Sequence, residues 1–145
     1  MSALYDQFGP MVRLAHLMTG SAAIAEDVVQ DAFLRVAPHY SNADNQRAYL
    51  RAAVVNGCRS HQRRSIRHER ASTRAARSEP SYDAPVVEFF DGLRALNDRQ
   101  RAAVVLRYYL DLGDDEIAEL ISCAPATVRV LIRRALAHLR KVVNQ

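Results

Sequence analysis

Between residues 59 and 70 the chain sets Arg59, Arg63, Arg64, Arg67 and Arg70 against a single acid, Glu69, and Arg74 and Arg77 follow. Such a cluster repels itself and concentrates positive potential beside Asn56, His61 and Gln62, which suits a phosphate-rich partner. An asparagine amide such as Asn56 can read a base edge bidentately. A second basic set lies near the C-terminus. At about 100° per residue, Val128, Ile132, Ala135, Leu139 and Val142 share one side of a helix. Arg129, Arg133, Arg140, Lys141 and, at its edge, Arg134 take the other. Val130 falls amid that basic surface, where a thymine methyl would be a partner. Thr127, Arg129, Val130 and Arg133 are placed to meet a major groove, with Arg134 and Arg140 on phosphates. A third set is acidic: Asp27, Gln30 and Asp31 stand at i, i+3 and i+4, share one face, and could meet basic residues of a partner helix pair.

These groups recognise charge and base edges; they do not make or break bonds. The five histidines, His16, His39, His61, His68 and His138, are scattered and form no metal-spaced set with cysteine or carboxylate. No Gly-rich phosphate loop or nucleophile elbow occurs. The expectation is a chain that is not an enzyme, with no metal and no cofactor.

The elements that must position these residues read as helices throughout. Leu4, Phe8, Met11, Ala15 and Met18 recur at three- and four-residue steps and line one stripe. Gly20-Ser21 interrupts it, Ser21 being an available N-cap. Ile24, Val28, Ala32 and Val36 form a second stripe closed by Pro38. A polar loop over 41–45 leads to a third helix with Leu50, Ala53, Val54 and Cys58. Residues 71–86, with Pro80 and Pro85 and little to bury, read as a flexible linker. Beyond it Val86, Phe89 or Phe90, Leu93 and Leu96 make a short helix. Asn97 with Gln100 resembles a capping box for the next helix, which carries Ala102, Val105, Leu106 and Tyr109. Asp114 is expected as the N-cap of a short helix through Ile121, and Pro125 suits the first turn of the last helix. A short helix, a tight turn and a proline-started basic helix have the layout of a helix-turn-helix. No stretch alternates with period two. The fold expected is all α: two small helical domains, the first of three or four helices and the second a helix-turn-helix, joined by a linker.

Of the 145 residues 49% are hydrophobic and 25% charged, which places the chain among globular proteins. The net charge of +4 agrees with a phosphate-bearing partner without demanding one. No apolar run approaches the roughly 20 residues that span a bilayer, and the N-terminus lacks the pattern of a signal peptide. Cys58 and Cys123 stand far apart without a CxxC, so free thiols in a reducing cytosol are expected, and with them a cytoplasmic location and no membrane partner.

Residues 96–109, LNDRQRAAVVLRYY, resemble the opening of the C-terminal domain of extracytoplasmic-function (group IV) sigma factors of bacterial RNA polymerase. Within the sigma-70 superfamily the likeness is to the actinobacterial sigma-E-like subgroup. Residues 115–120, DEIAEL, then Thr127-Val128-Arg129 and Arg134-Ala135-Leu136, are similar to the same family's helix-turn-helix. Upstream, residues 25–35, AEDVVQDAFLR, resemble its polymerase-binding segment, and Ala48-Tyr49-Leu50-Arg51 through Asn56 with the arginines beyond resemble the segment that opens the promoter. The resemblance implies a promoter-reading subunit that binds core RNA polymerase, on the clamp and flap of its large subunits, and directs initiation at promoter DNA. It implies core docking by Asp27, Gln30, Asp31, Phe33 and Leu34 on a domain of residues 1–70. It implies minus-ten recognition on that same domain by Asn56, Arg59, His61, Gln62, Arg63, Arg64 and Arg67. Minus-thirty-five recognition by Thr127, Arg129, Val130, Arg133 and Arg134 falls to a domain of residues 87–145. A separate anti-sigma protein is a candidate partner.

The chain departs from the family at several positions. Ser60 stands where an aspartate is usual, Ser122 where the turn usually has glycine, Ala124 and Ala126 flank Pro125, and Val130 and Leu131 replace a frequent serine and basic residue. Serine at a position wanting φ > 0 carries a cost, so another turn geometry is open. Two rival readings stay open as well. A dimeric helix-turn-helix regulator explains residues 96–145 but leaves the acidic helix and the Arg59–Arg70 cluster without a role. A sigma-like protein with altered promoter recognition is the other.

Overall fold

The computed structural model describes residues 2–42, 45–69 and 91–143, and all of them that are regular are helical, with no strand among them. The chain divides into two compact units, Met1–Pro80 and Ser81–Gln145. The expected linker over 71–86, Arg70, Arg74 and Arg77, and the apolar positions Val86, Phe89 and Phe90 lie outside the described residues.

In the first unit the opening apolar stripe is divided between α1 (Ser2–Asp6) and α2 (Phe8–Thr19). Pro10 explains the break. It cannot donate to the Asp6 carbonyl, and its ring clashes there, so continuous helix stops at Asp6 while proline is tolerated in the first turn of α2. Helix α2 ends at Gly20, left-handed at φ 76°, whose N–H reaches the His16 carbonyl at 2.8 Å. Ser21 then caps α3 (Ala22–Val36), its hydroxyl accepting from Ile24 N–H at 3.3 Å. A 3-10 turn over Ala37–Asn42 contains Pro38, and Asn45 Oδ1 accepts from Ala48 N–H at 3.1 Å to start α4 (Gln46–Glu69).

Leu14, Met18, Val29, Val36, Leu50, Val54 and Val55 are fully buried where α2, α3 and α4 meet. Each such side chain contributes roughly 1.5–3 kcal/mol relative to exposure. Phe8 and Phe33 meet edge to face, with ring centroids 5.3 Å apart. Helices α3 and α4 approach closely at Gly57, where a Cβ would lie 2.9 Å from Val28 Cγ1.

In the second unit a helical turn at 91–94 precedes α5 (Asp98–Tyr108), α6 (Asp114–Ile121) and α7 (Pro125–Val143). The capping box is present: Asn97 Oδ1 accepts from Gln100 N–H at 2.8 Å, and Asn97 N–H donates to Gln100 Oε1 at 3.4 Å. Leu93, Leu96, Leu106, Ile117, Ile121 and Val128 fill the core. Two details correct or complete the sequence reading. Gly113, extended at φ −82°, ψ 170°, holds the capping position of α6, so Asp114 is its first helical residue rather than its N-cap. The α6–α7 turn keeps its left-handed geometry despite serine, with Ser122 at φ 58°, ψ 55°. Cys123 N–H bonds the Ala118 carbonyl at 3.0 Å and Ala124 O accepts from Thr127 N–H at 2.9 Å, which together hold that conformation.

Candidate nucleic-acid interface

Helix α4 turns Asn56, Arg63 and Arg64 outward because the opposite side is core. Val54 and Cys58 are fully buried, and Gln62, four residues further, continues that line. Gln62 is therefore buried, with Nε2 donating to the Met18 carbonyl at 2.9 Å. This corrects its expected place among the minus-ten contacts: the amide satisfies a core carbonyl and faces away from solvent. The i, i+4, i+8 spacing from Val54 was the signal that located it. Asn56, Arg63 and Arg64 are exposed and Arg59, Ser60 and His61 half-buried, while the Arg67 side chain lies outside the described set. Arg63 donates to the Ser60 hydroxyl at 3.4 Å.

On α3, Asp27, Gln30, Asp31 and Leu34 are exposed on one face, Leu34 at 76%. Phe33, expected beside them, is half-buried and turned toward Phe8, so its ring serves packing within the unit. One α3 acid, Asp31, and one α4 base, Arg64, line the same depression. A cleft of about 140 Å³ between the helices is lined by Asp31, Arg35, Asn56, Ser60 and Arg64 over a floor that includes Gly57. Residues singled out for two separate tasks thus share one depression. Arg35, not singled out in the sequence, stands one helical turn from Asp31, which was its available signal.

On α7, Val128, Ile132 and Ala135 are buried beneath the exposed Arg129, Arg133 and Arg134, with Thr127 and Val130 half-buried between. The side chain of Val142, expected on the apolar side, lies outside the described set. Asp114 accepts from Arg129 Nη1 at 3.3 Å and pairs with Arg107, whose Nε donates to the Leu112 carbonyl at 3.0 Å. Neither Arg107 nor Asp114 was legible as part of a site, because the contact to Arg129 crosses the turn. The second unit is also held by Arg101. Its Nε reaches the Leu93 carbonyl at 2.8 Å, its Nη2 the Leu96 and Arg94 carbonyls at 2.9 and 3.4 Å, and Asp98 lies 3.5 Å away. Burial lowers the Arg101 pKa, with Asp98 opposing that fall and Arg94 adding to it.

Neither cysteine is bonded to another. Burial pushes the Cys58 thiol up to about 12, which leaves it protonated and unreactive at neutral pH. Among the described residues no cluster of His, Cys, Asp and Glu could hold a metal ion, and no helix is long and apolar enough to cross a membrane.

A basic recognition helix seated on a buried face, after a short helix and a tight left-handed turn, defines a helix-turn-helix nucleic-acid-binding unit, here joined to a second helical unit. Residues 4–68 match the family Sigma-70 region 2, and residues 88–139 match Sigma-70, region 4. The RNA polymerase sigma-E factor of Streptomyces antibioticus is 30% identical over 125 residues, spanning 81% of this chain and 69% of its own. The sigma-E factor of Streptomyces coelicolor is 28% identical over 139 residues, 90% of this chain and 78% of its own. The sigma factor RpoE of Bartonella quintana, solved in complex with the anti-sigma factor NepR, shares the fold with a TM-score of 0.81 at 20% identity, covering 99% of this chain and 95% of that one. The chain belongs to the extracytoplasmic-function sigma factors of the sigma-70 family.

Proposed function

We propose that this chain binds the RNA polymerase core and directs promoter-specific initiation of transcription, with no catalysis of its own and in the cytoplasm. The observation that carries this reading is one chain bearing both an exposed acidic face capped by an apolar residue and two exposed arginine-bearing faces. Asp27, Gln30, Asp31 and Leu34 on α3 supply the first, and would dock on the clamp of the large subunits. Asn56, Arg63 and Arg64, with Arg59, His61 and Arg67 on the same helix, would take the minus-ten strand. Thr127, Arg129, Val130, Arg133 and Arg134 would take the minus-thirty-five duplex. In this scheme residues 1–70 form the core-docking and minus-ten domain, residues 71–86 join it to residues 87–145, and the latter also meet the polymerase flap. The Bartonella relative is solved with an anti-sigma factor, and an anti-sigma protein is a candidate partner here by the same kinship. Run-off transcription from genomic fragments with purified core polymerase tests the proposal directly. The chain is expected to bind core as one copy and to start transcripts at defined sites. Core enzyme that ignores the chain at low salt would refute it.

A further inference from the structure

Arg107, Asp114 and Arg129 form a line of alternating charge running from the backbone to the surface. Arg107 is anchored by the Leu112 carbonyl and pairs with Asp114 Oδ1, while Asp114 Oδ2 accepts from Arg129 Nη1 at 3.3 Å. The two inner side chains are only 30% and 26% exposed, against 61% for Arg129. The carboxylate is thus fixed from behind and holds Arg129 by one nitrogen. The Nε/Nη2 edge of Arg129 has no partner among the described residues, and Arg133 and Arg134 have no ion pair or hydrogen bond there either. An exposed ion pair adds little to stability. Its effect on recognition is larger: an arginine already restrained loses less side-chain freedom when it binds. A free two-donor edge matches O6 and N7 of guanine, the commonest arginine target in the major groove.

We propose that Asp114 is a positioning residue for Arg129, and that Arg129 so held reads one guanine of the upstream promoter element. This rests on the reading of α7 as the base-reading helix. Arg133 and Arg134, unrestrained, contribute affinity with less discrimination.

The test uses holoenzyme assembled from core polymerase and the full chain, selecting bound duplexes from a random-sequence library. The unaltered chain is expected to enrich a site with guanine at one position. Asp114→Asn should lower the preference for that guanine about tenfold, the weight of one bidentate base contact, and leave the other positions unchanged. Its binding to unselected DNA should hold or tighten slightly, because a negative charge is removed. In an Arg129→Ala background, Asp114→Asn should add nothing. An equal loss at every position, or a full effect of Asp114→Asn without Arg129, would overturn the proposal, because Asp114 would then act through the fold. If Asp114→Asn unfolds the second unit, Arg129→Lys carries the test. It keeps the charge and loses the fork, so retention of the guanine preference would overturn the proposal too. If the unaltered chain enriches no site, the reading of α7 fails first, an outcome separate from those above.

Discussion

The arginines of α4 and α7 are held in different ways. On α4, Arg63 reaches the Ser60 hydroxyl and Arg64 opens onto a cleft, so both remain exposed cations on a helix whose core side is apolar. On α7, Arg129 is gripped by a carboxylate that is itself gripped by Arg107. The units around them differ in the same sense. The first is sealed by apolar side chains and by the close approach of α3 and α4 at Gly57, with the buried Gln62 bonding across helices to the Met18 carbonyl. The second uses arginines as staples on backbone carbonyls. A guanidinium held by a carboxylate can select among bases, whereas an exposed one without an ion pair is suited to phosphate, which is alike at every step.

The strongest way to break this comparison is at the staples. Arg101→Met is expected to cost the second unit about 3 kcal/mol, because the Leu93 and Leu96 carbonyls lose a charged donor. Amide hydrogen exchange should register the loss in α5 and leave α2 unaffected; equal loss in both would contradict the separation. Gln62→Leu should cost the first unit about 1 kcal/mol by removing the hydrogen bond that the Met18 carbonyl accepts from Nε2. Strand capture per folded molecule should be unchanged, and a selective loss of promoter opening without loss of stability would return Gln62 to the DNA face.

Charge on α4 sharpens the contrast. Arg63→Ala with Arg64→Ala should weaken holoenzyme binding to single-stranded DNA about tenfold whatever its sequence, and reduce the salt slope by about 1.4, at roughly 0.7 per phosphate contact. Sequence-dependent losses would mean that these arginines read bases. A smaller effect is expected in the turn of the helix-turn-helix. Ser122→Gly should raise the thermal stability of the second unit by about 0.5 kcal/mol, since a left-handed residue at φ 58° favours glycine. The smallest is chemical: in the folded chain at neutral pH a thiol reagent should modify Cys123 and spare Cys58. Burial raises the Cys58 pKa and shields the thiol, so it becomes reactive only on unfolding.

Much of the fold was legible in local pattern. The Asn97–Gln100 box, the Ser21 cap and the proline-started α7 follow from short-range hydrogen bonding and backbone sterics, which a few neighbouring residues settle. The faces of α3 and α7 followed from helical periodicity. Reading failed where one signal was outweighed by another: the charge around Gln62 drew it to the DNA face, although its spacing from Val54 and Cys58 put it in the core. Asp114 was mistaken for a cap because glycine at 113 takes that place by its backbone alone.

By itself, then, the order of residues determined that this chain is helical, in two parts, with acidic and basic faces at known positions, because helix periodicity and capping act within about one or two turns. Only the folded structure decided that Asp31 and Asn56 line one cleft, that Phe33 packs on Phe8, and that Asp114 reaches Arg129 across a turn. Those contacts join residues distant in sequence, and distance through space is set by how the helices pack rather than by any local preference.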